Sequence, residues 1–206
     1  MFLLDKFKKN RGGYMGKIIA NVSNTLDGIF TGPKGEENNM VSWAMPGIVD
    51  STNDGLVMFQ KADAILMGRV TYEGFAGYWP FQEGDWADAM NKTQKYVATN
   101  NNELTVIHWG DYDDTISLLN YDVMSKVREL KREIKGDIIV PASAGLVQSL
   151  INASLLDELR IIIHPVILGS GKRFFDNIET RLDMKLIETK LYETSGSMLM
   201  RYETVK

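Results

Sequence analysis

Cysteine is absent from the 206 residues, and histidine occurs only twice, as His108 and His164. A chain without cysteine forms no disulfide, has no thiolate nucleophile and holds no Cys-ligated zinc or iron–sulfur cluster. The two histidines are far apart and show no HExxH spacing, so no metal site is predicted. A cysteine-free composition also fits a reducing compartment, and we expect a cytoplasmic protein.

An excess of basic charge and long apolar runs are missing as well. The net charge is −4, which argues against nucleic acid or anionic lipid as a partner. No apolar run approaches the roughly 18 residues that span a membrane. The composition, 44% hydrophobic and 24% charged, is that of a globular protein. We expect residues 1–15 to be a mobile extension and residues 16–206 to form a single domain.

Strand patterns alternate with helix patterns along most of the chain. Strands are predicted at 17–23, 64–68, 95–100, 104–109, 136–142 and 158–168, with an antiparallel hairpin in 184–205. Helices are predicted at 45–63, 71–79, 122–135 and 143–156, with Asp50 or Ser51 capping the first and Ser143 the last, and a further turn is predicted at 85–92. This order predicts a three-layer α/β fold, a mixed and mainly parallel sheet with helices on both faces and an antiparallel C-terminal hairpin.

Two of the predicted strand-to-helix junctions are suited to phosphate groups. In "LMGRVTYE", Gly68 ends a buried strand, Arg69 offers a planar fork for a phosphate, and Thr71 supplies a hydroxyl. In "IIVPASAGLVQSL", small residues follow another strand at 142–145. Either junction alone is explained by a structural turn, but the pair indicates a dinucleotide held between two helix ends.

The segment "MGRVTYE" resembles the M-G-R-x-T-[WY]-E segment of dihydrofolate reductases. "AILMGRVTYEGFAGYWP" together with "LVQSLINASLLDELRIIIHPVILGSGKRFF" is more similar still to the reductase domain of bifunctional riboflavin-biosynthesis enzymes and its stand-alone relatives. The resemblance covers about residues 16–206 and implies a dihydrofolate-reductase-like fold, NADPH as cofactor and a homodimer.

The resemblance also implies roles for individual residues. The cofactor-binding positions are Ala20, Asn21, Ile29, Gly68, Arg69, Val70, Thr71, Thr99, Asn100, Ala142, Ser143, Ala144, Gly145 and Leu146. Among them, Ala20, Asn21 and Ile29 match positions that flank the nicotinamide. Family members usually carry one or two glycines where this chain has Ala142 and Ala144.

Two carboxylates are candidates for the catalytic chemistry. Asp54 lies inside the predicted helix before "MGR", where an aspartate is unfavourable without a reason, and it is a candidate substrate ligand or proton relay. Asp27, in "TLDGIF", either forms a simple Asp-Gly turn or shapes a loop over nicotinamide and substrate, or reaches the substrate itself.

Aromatic side chains could enclose a flat ring, although most aromatics belong to cores. The candidate substrate residues are Trp43, Phe59, Tyr78 and Trp79. His164 lies in an otherwise apolar strand and is predicted to be a hydrogen-bonded core histidine, and "LGSGKRFF" is predicted to be a turn.

These patterns favour an NADPH-dependent oxidoreductase that reduces a C=N or C=O bond of a pteridine- or pyrimidine-type heterocycle. The alternative is a catalytically silent nucleotide-binding module that acts as a sensor or scaffold, which Ala142, Ala144 and the lack of an unambiguous acid favour. A hydrolase is disfavoured because the sequence contains no GxSxG motif.

Overall fold

The computed structural model describes residues 16–33, 41–101 and 104–205, so the expected extension at residues 1–15 lies outside the described residues. The strands are β1 (Ile18–Thr25), β2 (Ala64–Gly68), β3 (Gln94–Ala98), β4 (Ile116–Leu119), β5 (Ile138–Pro141), β6 (Glu158–His164), β7 (Met184–Tyr192) and β8 (Ser197–Thr204). The helices are α1 (Val41–Asp50), α2 (Thr52–Gln60), α3 (Arg69–Ala76), α4 (Asp85–Lys92), α5 (Val123–Glu133) and α6 (Ala144–Asn152).

All eight strands form one sheet in the order β4-β3-β2-β5-β1-β6-β8-β7. The pairings β6–β8 and β7–β8 are antiparallel, and the others are parallel. Strands such as β2 and β5 read as unbroken apolar runs because both of their faces are covered. The predicted mixed, mainly parallel sheet with a C-terminal hairpin is therefore confirmed.

Helices cover both faces of the sheet, and each face has its own core. On one face, Val127 of α5 and Val147 and Leu150 of α6 belong to a core that also contains apolar side chains of β1 and β5. On the other, Phe59 of α2 and Met90 of α4 join the apolar side chains of β2 and β3. Because strands β1 to β6 are parallel, their carboxyl ends lie at the same edge of the sheet, and so do the helix starts that follow them.

The predicted helix at 45–63 is two helices, α1 and α2, that meet at Ser51. The hydroxyls of Ser51 and Thr52 both donate to the carbonyl oxygen of Ile48, at 3.2 and 2.9 Å. Hydroxyls that bond back to a carbonyl one turn earlier bend or interrupt a helix. Neither predicted cap holds: Ser51 makes no side-chain capping bond, and Asp50 accepts from the backbone N–H of Ser195 at 2.7 Å.

The predicted strand at 104–109 is wrong. Trp109 is fully buried there, and its indole N–H donates to Asn91 at 2.8 Å. The backbone N–H of His108 donates to the hydroxyl of Tyr72 at 2.9 Å, so side chains rather than a strand ladder hold this segment. β3 lies between β2 and an unpredicted edge strand, β4, at Ile116–Leu119.

Candidate active site

The two predicted phosphate junctions lie side by side, because β2 pairs with β5. The backbone N–H of Gly68 donates to the hydroxyl oxygen of Ser143 at 3.1 Å. That hydroxyl donates in turn to the hydroxyl of Thr71 at 2.9 Å. Ser143 therefore links the two junctions instead of capping α6, to which it makes no capping bond.

A third junction, from β4 to α5, has the same design. Tyr121 and Asp122 have φ values of 49° and 47°, and Ala142 and Ser143, before α6, have φ values of 48° and 49°. Left-handed backbone at a non-glycine residue costs on the order of 1 kcal/mol or more, so two such pairs point to a constraint at these turns. The starts of α3, α5 and α6 all lack a side-chain cap, which leaves their first-turn N–H groups available to an anion.

The three junctions enclose an open cleft of about 320 Å³. It is lined by Gly68, Ala98, Thr99, Asn100, Asp122, Val123, Met124, Gly145, Leu146 and Ser149. Thus five of the predicted cofactor-binding positions, Gly68, Thr99, Asn100, Gly145 and Leu146, are brought together here. The other five lining residues, Ala98, Asp122, Val123, Met124 and Ser149, were missed. For Asp122, Val123 and Met124 the strand–turn–helix pattern at 116–123 is the same signal that identified the other two junctions.

The second phosphate loop has room for a ligand despite its alanines. The methyl group of Ala144 lies in the apolar core under α6 and not in the cleft. A side chain on Gly145 would meet nothing within 4 Å, so the backbone there is open to close approach. Ala142 is half-buried, and its backbone N–H donates to the carbonyl oxygen of Asn21 at 3.0 Å. The residues present therefore fit a dinucleotide phosphate.

Arg69 is at the surface, where its guanidinium donates to Glu73 one turn along α3 at 2.6 Å. An exposed i, i+4 ion pair contributes only a few tenths of a kcal/mol, so the guanidinium can turn to a stronger anion. Val70 beside it is largely exposed. Thr99 is buried, and its hydroxyl accepts from the backbone N–H of Asn101 at 3.0 Å.

The positions expected to flank the nicotinamide are less accessible. The side chain of Ala20 is in the core, and that of Ile29 is buried against Gly171. Asn21 lies on the opposite face of β1 from Ala20, and its side-chain oxygen accepts from Arg160 at 2.7 Å. Of the three, Asn21 alone presents a polar side chain.

Asp27 stabilises a turn. One carboxylate oxygen accepts from the hydroxyl of Thr25 at 2.6 Å, and the other accepts from the backbone N–H of Gly169 at 2.8 Å. These hydrogen bonds lower the pKa of the Asp27 carboxyl, and the one from Thr25 contributes most. The same contacts fix the 168–173 segment as the turn predicted for "LGSGKRFF", with Arg173 donating to the carbonyl oxygen of Asp27 at 2.7 Å.

Asp54 lies on α2 and reaches the C-terminal hairpin. One of its carboxylate oxygens accepts from Lys190 at 2.6 Å and from the hydroxyl of Tyr192 at 2.7 Å. The hydrogen bond from Lys190, followed by that from Tyr192, lowers the pKa of the Asp54 carboxyl. Asp54 is therefore ionised at neutral pH, and it accepts hydrogen bonds rather than donating a proton.

The candidate substrate aromatics have different environments. Phe59 is a core residue packed on Trp86, so its prediction as a substrate contact is not supported. Trp43 donates its indole N–H to the carbonyl oxygen of Thr31 at 3.0 Å and packs edge-on against His164. Trp79 stacks on Trp86 at 5.9 Å, and Tyr78 beside it is about half exposed.

His164 is buried at the carboxyl end of β6, as predicted, but it is poorly hydrogen-bonded. Nδ1 lies 3.4 Å from the hydroxyl of Ser197, and Nε2 has no partner among the described residues. Burial lowers the pKa of the imidazole to about 4, so the ring is neutral at pH 7.

The family of the chain follows from comparison with known sequences. Residues 16–198 match the model of the RibD C-terminal domain. The chain belongs to the RibD C-terminal domain family. This RibD C-terminal domain is 29% identical over 186 residues to the uncharacterized protein YyaP of Bacillus subtilis (strain 168). The match covers 90% of this chain and 94% of YyaP.

Solved structures share the fold of this RibD C-terminal domain. A Shewanella sp. PV-4 protein assigned provisionally to riboflavin biosynthesis superposes with a TM-score of 0.70 at 19% identity, covering 92% of this chain and 99% of that one. Dihydrofolate reductase from Enterococcus faecalis, solved with NADP(H), gives a TM-score of 0.61 at 14% identity, covering 94% and 99%. The predicted dihydrofolate-reductase-like fold and the resemblance to riboflavin reductase domains are both confirmed.

No helix among residues 16–33, 41–101 and 104–205 has the length and apolarity needed to cross a bilayer.

Proposed function

We propose that the chain is an NADPH-dependent reductase that transfers a hydride to a C=N or C=O bond of a pteridine- or pyrimidine-type heterocycle. The observation that supports this most is the convergence of the starts of α3, α5 and α6 on one cleft beside Gly68. Membership of the RibD C-terminal domain family and the likeness to a reductase solved with NADP(H) point in the same direction.

In this proposal each junction has a separate task. Arg69 binds the 2′-phosphate, helped by Val70 and Thr71 at the start of α3. The segment 142–146 holds the diphosphate through backbone N–H groups, and Thr99 with Asn100 contacts the adenosine half. Asn21 lies next to the nicotinamide. NADPH, when bound, supplies the hydride.

The substrate is proposed to lie on the face of the sheet covered by α1 and α2. The ionised carboxylate of Asp54 accepts an N–H of the heterocycle after exchanging its contact with Lys190. Trp43, Tyr78 and Trp79 are proposed as walls of this site. Asp27 keeps the loop after β1 in shape through its contacts with Thr25 and Gly169.

A titration of the protein with NADPH, followed by nicotinamide fluorescence, tests the cofactor assignment. We expect saturation at micromolar NADPH, and no binding at millimolar concentrations would reject the proposal. Loss of absorbance at 340 nm with a panel of dihydropterins and ribityl-pyrimidines then tests turnover. Asp54→Asn should lower turnover and spare NADPH affinity, whereas unchanged rates would remove Asp54 from the site.

A catalytically silent nucleotide-binding module is the second candidate. The observation that favours it is that Asp54 and Asp27 both have their carboxylates engaged by neighbouring groups of the protein. NADPH binding without turnover of any member of the panel would favour this candidate.

We also propose a homodimer formed through β7. This nine-residue strand ends the sheet and is exposed along most of its length, with Leu186, Ile187 and Leu191 each at least 40% accessible. Exposed apolar edge strands are natural association sites. Sedimentation velocity should show a dimer that Ile187→Lys converts to a monomer, and a monomeric wild-type protein would refute it. The predicted cytoplasmic location stays a prediction.

A further inference from the structure

The cleft at the three junctions has one charged side chain in its lining, and that side chain is a carboxylate. Of the ten lining residues, only Asp122, directly before α5, is ionisable. Arg69 is not part of the lining, and its guanidinium donates to Glu73. A carboxylate opposes the charge of nearby phosphates, so the ligand group that fits beside Asp122 is one that donates hydrogen bonds.

The Asp122 carboxylate is available to accept such a bond. It makes no capping hydrogen bond to α5, and no group of the described residues bonds to it. Lys126, one turn along the helix, donates instead to the carbonyl oxygen of Asn120 at 2.5 Å. The φ of 47° suits an aspartate or an asparagine, but a turn needs neither the charge nor an unpaired carboxylate.

The rest of the lining suits a flat ring. The cleft lies between the first turns of α5 and α6, which cover the same face of the sheet. Val123 and Met124 line it from α5, and Leu146 lines it from α6. Apolar side chains from two helices, together with a single carboxylate, are what a planar base with an amino group requires.

The sheet keeps Asp122 away from the proposed phosphate positions. Gly68, Ala98 and Leu119 pair in one row across β2, β3 and β4, so roughly 10 Å separate the ends of β2 and β4. Asp122 follows β4, whereas the starts of α3 and α6, proposed to hold the phosphates, follow β2 and β5. A separation of about one Debye length weakens the repulsion between Asp122 and those phosphates. The part of the dinucleotide that can reach the β4 side without bringing a phosphate there is the adenine ring.

We infer that Asp122 recognises the base of the dinucleotide: its carboxylate accepts a hydrogen bond from the 6-amino group of adenine, so the cleft selects a 6-amino purine over a 6-oxo purine. This inference rests on the proposed function, which places a dinucleotide in the cleft. A 6-oxo purine would present an acceptor oxygen to a carboxylate, which itself only accepts. Asp122 is thus a specificity-determining residue for the cofactor.

A comparison of NADPH with its 6-oxo analogue, reduced nicotinamide hypoxanthine dinucleotide phosphate, tests the inference. Both molecules have the same nicotinamide and the same three phosphates, so they differ only in the base. Nicotinamide fluorescence titrations of the wild-type protein should give NADPH an affinity about 5- to 20-fold higher, as expected for one hydrogen bond to an exposed charged group. Equal affinities, or a preference for the analogue, overturn the inference.

Two substitutions that tolerate the left-handed backbone assign the preference to Asp122. Asp122→Asn offers a donor and an acceptor at the same position, so the ratio of the two affinities should fall to within about twofold of one. Asp122→Gly removes the side chain and should likewise bring the ratio near one. A ratio that stays at the wild-type value in both variants would show that Asp122 serves only the turn, and would overturn the inference.

Glu129→Gln is the matched control for charge. Glu129 is exposed on the same helix and is not part of the cleft lining. Removing its charge alters the field on both dinucleotides alike, so the ratio should stay within about 1.5-fold of wild type. A fall in the ratio equal to that in Asp122→Asn would overturn the assignment to Asp122.

Turnover of the heterocycle panel is measured on the same samples, so that the two proposals fail separately. Selective binding of NADPH without turnover rejects the reductase and leaves the recognition of the base by Asp122. Equal binding of the two dinucleotides rejects only the role of Asp122. Binding of neither dinucleotide rejects both proposals.

Discussion

Arg69→Ala is the substitution that most directly tests the cofactor site, because the proposed role of Arg69 is to distinguish NADPH from NADH. Hydrogen bonds to a charged group contribute about 1.5–3 kcal/mol each in net terms. Binding a phosphate also breaks the Arg69–Glu73 ion pair, which is exposed and i, i+4 and therefore contributes about 0.3–0.5 kcal/mol. The net loss in Arg69→Ala is thus about 1–2.5 kcal/mol.

That loss corresponds to NADPH affinity weakened by about 5- to 70-fold, with NADH affinity changed by less than about twofold. Nicotinamide fluorescence titrations at low and high salt measure both constants, and the difference should shrink with salt because Arg69 is exposed. Glu73→Gln is the matched control: it removes the competing carboxylate and should tighten NADPH by about twofold. An equal loss for NADPH and NADH in Arg69→Ala would refute the assignment.

Three further predictions concern stability and are measured by chemical denaturation. Gly47→Ala should destabilise the folded protein by about 1–3 kcal/mol, because a Cβ there would lie 2.5 Å from the Ser197 hydroxyl. The control Gly74→Ala, with nothing within 4 Å of the added Cβ, should be neutral or should stabilise the protein by up to about 1 kcal/mol. Similar effects of the two substitutions would contradict the packing at α1. Asp157→Ala should lower the free energy of unfolding by about 3–5 kcal/mol, because it removes the carboxylate that lies 2.5 Å from the buried Lys131 ammonium. Arg181→Ala, which breaks an exposed ion pair, should lower it by under about 0.5 kcal/mol. A loss below about 1 kcal/mol for Asp157→Ala would be inconsistent with a buried ion pair. The His164 imidazole has its ordinary pKa of 6.5 in the unfolded chain and a pKa of about 4 in the folded protein, so its contribution to stability is present above pH 6.5 and is lost as the pH falls toward 4, at about 1.4 kcal/mol per pH unit. His164→Met should therefore remove about 2 kcal/mol of the stability that the wild-type protein loses between pH 7 and 5. An unchanged dependence of stability on pH in this variant would exclude a buried neutral ring.

The sequence predicts the parts of the fold that follow from local pattern. Unbroken apolar runs such as "AILMG" identify buried parallel strands, and the glycine and small residues at 68 and 142–145 mark the junctions that the sheet brings together. The alternation of strands and helices does not give the strand order, which is set by contacts between distant segments such as Ile18 with Asp157.

The errors have identifiable physical causes. The 104–109 segment has the apolar pattern of a strand. In the structure, however, the Trp109 ring is buried without a strand, and its indole N–H donates to Asn91. Ser51 has the side chain of a helix cap, yet its hydroxyl and that of Thr52 both donate to the carbonyl oxygen of Ile48, where the helix divides.

The central place of β1 in the sheet has a consequence for biosynthesis. This strand is made first, yet its neighbours are β5 and β6, whose residues are 138–164. More than a hundred further residues must therefore be synthesised after β1 before its first neighbour in the sheet exists. By contrast, β2, β3 and β4 can pair with one another before β5 is made. Non-local pairing of this kind slows folding and leaves an apolar segment exposed in the meantime. We expect nascent chains that end before residue 164 to depend on chaperones, and release from them to coincide with synthesis of β6.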